Sequence, residues 1–187
     1  MKKIWMAAFI LALTPLVAVA QQTAPAAGAS DTEANPVSNM VRQMLERSAK
    51  NMEAAADEMP ADKYSYSPTP EQITFGHLMM HVAEANNSLC AFAAGEQPRE
   101  QKLNETDPKD VLTKAVKDSF AYCEQVLAKA DDSSLGQPFT SSQGQTGTRG
   151  SALLRMVANW ADHYSAASGY LRLNNLLPPS AQKAPGK

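Results

Sequence analysis

Residues that can bind a transition metal are scarce in this sequence, whose 187 residues include only three His and two Cys. Basic residues are not in excess either, because 17 Lys and Arg stand against 19 Asp and Glu. A chain without a basic surplus has little with which to neutralise phosphates, so we expect no nucleic-acid partner. The serine elbow of hydrolases, the Walker phosphate loop and the dinucleotide glycine fingerprint are also absent. The five His and Cys side chains are therefore the residues on which a functional site would depend.

The start of the chain has the pattern of a secretory signal peptide. Two lysines precede an apolar run at 4–13, and Ala18 and Ala20 favour cleavage before Gln21. The alternative is an uncleaved membrane anchor, which needs about 20 apolar residues. This run is shorter and is broken by a proline. We therefore predict that residues 1–20 are removed, that the protein is exported to the periplasm or secreted, and that no membrane span remains.

The rest of the chain divides into a leader, one domain and a tail. Residues 21–35 are rich in Ala, Thr and Gln and are predicted to be a flexible leader. Residues 36–180 hold the apolar patterning expected of one folded domain, and 181–187 form a tail beyond a helix-stopping pair of prolines.

Apolar residues at helical spacing predict four helices, at about 36–59, 69–95, 107–130 and 150–175. Asn35 is the predicted cap of the first helix. A capping-box pattern from Thr69 to Gln72 predicts the start of the second, with Ile73 on its core face, and Asp107-Pro108 predicts the start of the third. No stretch alternates with the period of a strand, so we expect no sheet. The predicted fold is an all-α four-helix bundle.

Two connections are longer than bundle packing requires. The segment at 95–107 can span the bundle from end to end, which would let the second and third helices run parallel. The segment at 131–150 is rich in Gly, Ser, Thr and Gln, a composition typical of lids and binding loops.

The three histidines lie on two of the predicted helices. His77 and His81 are four residues apart, on one face of the second helix, and His163 lies on the apolar stripe of the fourth. Imidazoles on facing helices are a common way for a bundle to bind zinc, nickel, iron or copper. The alternative is that these histidines are hydrogen-bonded residues of the core.

Two stretches of the sequence resemble a known family. The sequence FGHLMMHVAEAN at 75–86 resembles the second helix of the DinB-like metalloproteins, and NWADHY at 159–164 with YLRLN at 170–174 is similar to their last helix. The resemblance covers about residues 35–180. It implies a four-helix bundle with a long crossover between helices two and three. It also implies a divalent metal, typically zinc or nickel, and a hydrolase or thiol-dependent transferase activity.

The resemblance also implies a ligand set of three histidines, one on helix two and a His-x-x-x-His pair on helix four. His81 matches the first position and His163 the last, but Asn159 stands where the family has the remaining His. Three possibilities stay open: His77 supplies the third ligand, the Asn159 amide takes a weaker role, or the site has decayed. In the last case the protein would be a non-catalytic binding or structural bundle.

Asp162 and Glu84 are the candidate carboxylates to orient the ligating imidazoles, because a ligating His usually donates its second N–H to such a group. A metal with an open position would lower the pKa of a bound water or thiol. We expect an unidentified small-molecule substrate, with a homodimer as the candidate oligomer.

Cys90 and Cys123 lie on the predicted second and third helices. If these helices run parallel, the two residues lie at similar heights, and an exported protein favours a disulfide between them. The alternative is a pair of buried free thiols.

Overall fold

The computed structural model describes residues 33–182, and most of these lie in four α-helices: α1 (Pro36–Glu58), α2 (Phe75–Ala94), α3 (Lys109–Leu127) and α4 (Arg149–Leu173). The prediction of an all-α four-helix bundle is confirmed. The bounds of α1, α3 and α4 lie within three residues of those predicted. The predicted signal peptide, most of the leader and most of the tail lie outside the described residues.

The predicted parallel arrangement of α2 and α3 is also confirmed. Asn86 of α2 donates a hydrogen bond to Ser119 of α3 at 3.0 Å, and one turn further along both helices Cys90 is joined to Cys123. The connection between α2 and α3 therefore runs back along the bundle, from the end of α2 to the level at which α2 starts. α2 packs against α4, and α3 packs against α1. α1 also packs against α4, which runs antiparallel to α2.

The disulfide between Cys90 and Cys123 is present as predicted, with a Cα–Cα distance of 5.4 Å. Both residues are fully buried. Next to them, the Asn86 side chain accepts a hydrogen bond from the Trp160 indole at 2.7 Å while it donates to Ser119. The disulfide and this polar network tie α2, α3 and α4 together at mid-height.

The start predicted for α2 is wrong. The capping box predicted from Thr69 to Gln72 is only a turn, in which the Gln72 amide donates to the Thr69 carbonyl at 3.1 Å. The helix begins at Phe75, and the Thr74 side chain caps it by accepting from the amide of the third helical residue. Ile73, predicted in the core, precedes the helix and is 43% exposed. The later start follows from backbone bonds that hold the first two residues of α2 against Tyr66 and Tyr64.

Asn35 occupies the N-cap position of α1 as predicted, but its side chain makes no capping bond to that helix and instead accepts from the Asp132 amide at 3.0 Å. The cap comes from Asp132, whose carboxylate accepts from the amides of Val37 and Ser38, both at 2.9 Å. Hydrogen bonds from the Ser38 hydroxyl and these amides hold the pKa of Asp132 below its ordinary value. A 3₁₀ turn at Asp132–Ser134 thus closes the start of α1.

The expectation of no sheet fails in one place. Pro138–Thr140 (β1) and Thr146–Thr148 (β2) form a two-stranded antiparallel hairpin in the segment predicted as a lid or binding loop. The strands have three residues each, too few to show alternation in the sequence. Phe139 is buried, and its ring stacks on that of Phe92 at 4.5 Å, so the hairpin is packed against the end of α2.

Two further 3₁₀ turns complete the described chain, at Ala61–Lys63 after α1 and at Pro179–Ala181 after α4. Within residues 33–182, no helix is long and apolar enough to cross a membrane.

Candidate functional site

The structure brings two of the three histidines into contact. The rings of His81 on α2 and His163 on α4 stack with centroids 4.7 Å apart and planes at 27°. Both residues are half-buried. Since α2 and α4 are antiparallel neighbours, this contact lies on their shared face. The pairing predicted from the family positions is therefore present in the fold.

A backbone hydrogen bond orients the His163 ring. Its Nδ1 donates to the carbonyl oxygen of Asn159, one helical turn earlier, at 2.7 Å. A carbonyl can only accept, so the proton resides on Nδ1 and the lone pair on Nε2. His163 is therefore held as the tautomer that presents Nε2 for ligation.

The surroundings of His81 favour its neutral form. Burial lowers the pKa of His81, and the nearby imidazoles of His163 and His77 lower it further, whereas Glu84 acts in the opposite direction. A neutral imidazole is the form that binds a metal, because protonation removes its lone pair. At neutral pH, His81 is thus available as a ligand.

His77 contacts the crossover segment. Its Nδ1 donates to the Glu105 carboxylate at 2.6 Å, and about a third of its side chain is exposed. In the part of the chain from 33 to 182, no three His, Cys, Asp or Glu side chains are grouped so that they could hold a metal. The structure therefore does not bring His77 into one ligand set with His81 and His163.

Asn159 lies one turn before His163, on the same face of α4. Its Oδ1 atom is buried and has no hydrogen-bond partner. A buried acceptor without a donor is costly and rare in native proteins. Asn159 Oδ1 is therefore a third candidate donor, on the helix face that carries His163.

The two carboxylates predicted to orient the imidazoles differ in placement. Glu84 is half-buried and lies close enough to His81 to influence its pKa. Asp162 is exposed and makes no hydrogen bond or ion pair with the residues that the structure describes. The carboxylate that does bond a histidine is Glu105, the partner of His77. It was not predicted, because it lies in a connection without helical periodicity.

A cavity of about 330 Å³ adjoins this part of α4, between α1 and α4. Trp160 and Tyr164, which flank His163 in the sequence, both line it, with Met44 on the α1 side. The Tyr164 hydroxyl accepts from the Ser180 amide at 2.8 Å. The 3₁₀ turn after α4, which contains Ser180, thus forms one wall of the cavity.

Comparison with known proteins agrees with these observations. A model of the DinB superfamily matches residues 44–167, which include both histidine-bearing helix segments. The chain belongs to the DinB superfamily. A search of curated proteins found no match.

Solved structures share the fold of this DinB protein at low sequence identity. The DinB-like protein YjoA from Bacillus subtilis is 17% identical with a TM-score of 0.62, over 78% of this chain and 100% of its own. YfiT from Bacillus subtilis, described as a probable metal-dependent hydrolase with an unusual four-helix bundle topology, is 14% identical with a TM-score of 0.61, over 79% and 93%.

A third similar structure is the mycothiol-dependent maleylpyruvate isomerase, which is 15% identical with a TM-score of 0.54. The match covers 68% of this chain but 59% of the isomerase. At these identities the likeness shows a common fold and leaves the reaction of this chain open.

Proposed function

We propose that this protein is an exported DinB enzyme that uses a divalent metal to act on a small molecule, by hydrolysis or by thiol-dependent transfer. The observation that carries the proposal is the buried Asn159 Oδ1 without a hydrogen-bond donor, on the helix face that presents His163 to His81. A cation is the partner that such an oxygen and two neutral imidazoles have in common. Ligation by both imidazoles requires the stacked rings to turn, because lone pairs that lie in near-parallel ring planes do not meet at one point.

The ligands would be His81, His163 through Nε2, and Asn159 through Oδ1. Imidazole suits zinc and nickel, whereas a neutral amide oxygen is a weaker ligand for these metals. We therefore expect weaker binding than a three-histidine site would give. Three protein ligands leave a position open for water or substrate, the arrangement found in catalytic sites. When bound, the metal would supply Lewis acidity that lowers the pKa of a water or thiol.

The protein's own contribution is the orientation of these donors. The Asn159 carbonyl fixes the His163 ring, and burial with two neighbouring imidazoles keeps His81 neutral. The cavity lined by Trp160 and Tyr164 lies on the α1 side of α4, and none of the three proposed ligands lines it.

The reaction classes are supported by the similar structures. YfiT is described as a probable metal-dependent hydrolase, and the isomerase as mycothiol-dependent. Export is supported by the buried disulfide, because structural disulfides are typical of oxidising compartments.

The test is a metal titration of chelator-treated protein with zinc and with nickel, read by calorimetry and by elemental analysis after dialysis. We expect one metal per chain in the wild type and its loss in His81→Ala. His77→Gln is the matched control, and it should bind as the wild type does. Equal loss in His77→Gln would overturn the assignment of Asn159 and make His77 the third ligand.

One observation favours a second candidate, a bundle that kept the fold and lost the metal chemistry. Among residues 33–182 no third His, Cys, Asp or Glu joins the His81–His163 pair in a ligand group. If the wild type binds neither metal, the enzyme proposal fails and a non-catalytic binding role remains.

A further inference from the structure

A separate cavity lies at the end of the bundle where α2 and α3 end and α4 begins. Its volume is about 260 Å³, and its lining includes three cationic side chains, those of Arg99, Lys129 and Arg149. Gly95, at the end of α2, is 14 residues after His81, or about 21 Å along the helix axis at 1.5 Å per residue. The cavity is therefore distinct from the histidine site.

Arg149, the first residue of α4, is the most constrained of the three cations. Its guanidinium lies across Gly95, where a Cβ would overlap the Nη2 atom. Its Nε is buried and has no hydrogen-bond partner. No carboxylate in the described part of the chain pairs with it. The buried Nε is closed to solvent, so an acceptor from outside the chain would meet the remaining guanidinium N–H groups of Arg149, which lines the cavity.

The other two cations are also without carboxylate partners. The Arg99 guanidinium lies over the Tyr122 ring, 4.6 Å from its centroid, which fixes its plane beside the cavity. The side chains of Arg99 and Lys129 make no hydrogen bond or ion pair within residues 33–182. Three positive charges thus face one cavity without a matching acceptor.

The two acidic residues of the lining already have donors. Glu96 accepts from the Tyr122 hydroxyl at 3.4 Å. Asp131 accepts from the Ser133 hydroxyl and from the Ser134 amide at 3.1 Å, within its own turn. Both carboxylates keep their negative charge, so the lining has three positive and two negative groups, and the net excess of one positive charge favours an anion.

We propose that this cavity binds a small oxyanion, a carboxylate or a phosphate group, with Arg149 and Arg99 as the principal ligands. Planar guanidinium groups match the paired oxygens of these anions and form charge-assisted bonds with them. The volume is below the roughly 300 Å³ at which larger small-molecule sites begin, so the ligand is compact.

A competing explanation is that Arg149 only complements the negative end of the α2 dipole, which Gly95 terminates. That role needs the positive charge near the helix end and no external ligand. A direct binding measurement separates the two explanations, because only an oxyanion site saturates with an added anion.

The experiment follows the arginine Nε–H signals of the full chain by NMR during titration with inorganic phosphate and, separately, with succinate. Chloride keeps the ionic strength constant. We expect a saturable shift of the Arg149 signal with at least one probe at millimolar concentration or below. Arg149→Gln should weaken binding at least tenfold, since it removes charge-assisted bonds. The matched control is Arg155→Gln, an exposed arginine of the same helix outside the cavity lining, which should bind as the wild type does.

The two probes distinguish the sources of the oxyanion. Saturation by phosphate alone assigns a phosphate group, by succinate alone a carboxylate, and by both a general oxyanion site. No saturation by either probe overturns the proposal, and so does equal weakening in the Arg149 and Arg155 variants. If Arg149→Gln does not fold, Arg99→Gln replaces it, with the same expectation of weaker binding, and unchanged binding in that variant overturns the proposal.

Discussion

Two neighbouring groups of buried polar side chains, the Asn86 network and the His81–His163 pair with Asn159, differ in how completely they are satisfied. At mid-height, the Asn86 amide has a donor in Trp160 and an acceptor in Ser119, beside the buried disulfide. Beside the histidine pair, one residue before Trp160, Asn159 Oδ1 is buried without a partner. The difference shows that a satisfied and an unsatisfied polar group lie side by side, and the unsatisfied one is where the proposed ligand would bind.

Removing the disulfide should give the largest effect on the satisfied region. Cys90 and Cys123 are 33 residues apart and fully buried. We expect the double variant Cys90→Ala/Cys123→Ala to lose about 3–4 kcal/mol of unfolding free energy, because the unfolded chain is no longer cross-linked. Urea unfolding measures this loss. A change below about 1 kcal/mol would show that the cross-link does not stabilise the fold.

Asn86→Leu should have the next largest effect. The substitution leaves the Trp160 N–H and the Ser119 hydroxyl without the partners they have now. Stranding a buried donor costs about 1–3 kcal/mol, so we expect a loss of about 2–3 kcal/mol in urea unfolding. A neutral result would mean that water replaces the amide and that the network is not closed.

Acidification should have a smaller effect, arising at the His81–His163 pair. Burial and the other two imidazoles lower the folded pKa of His81 below its ordinary value of 6.5. The unfolded state therefore binds a proton more readily, and stability is lost as the pH falls from 6.5 toward the folded pKa. In chelator-treated protein, the wild-type melting temperature should fall over this range more steeply than that of His81→Gln. Parallel curves would contradict the lowered pKa.

Asn159→Leu should have the smallest effect on the metal-free protein. The substitution removes an oxygen that has no partner, and replacing such a group by an apolar one of similar size is nearly neutral or stabilising. We expect an unfolding free energy equal to that of the wild type or up to about 1 kcal/mol higher, because the cost of an unsatisfied buried acceptor is removed. A loss like that of Asn86→Leu would show that the oxygen is satisfied in solution.

Much of the fold could be predicted from the sequence, because each helix is indicated by apolar residues that recur at helical spacing along it. Apolar residues at helical spacing locate the helices, and the length of the crossover allows α2 and α3 to run parallel, which in turn places Cys90 beside Cys123. The hairpin could not be predicted, because three-residue strands carry no period. The Asp132 cap joins residues 94 or 95 positions apart, a contact that depends on tertiary packing.

The candidate site could be predicted in part. Helical spacing and the family resemblance locate His81 and His163, and the resemblance identifies Asn159 as the departure. The burial of Asn159 Oδ1 and the pairing of His77 with Glu105 depend on how α2, α4 and the crossover pack. Local sequence patterns contain no information on either.

The most direct test of the proposed metal site is the zinc and nickel affinity of two substitutions at one position, Asn159→His and Asn159→Leu, measured by competition with a chelator. If Asn159 Oδ1 completes the ligand set, the histidine variant should bind at least about tenfold more tightly than the wild type, because imidazole is the better ligand for these metals. The leucine variant should bind at least about tenfold more weakly, because it has no donor atom. Equal affinities in all three proteins would contradict a metal held by His81, His163 and Asn159.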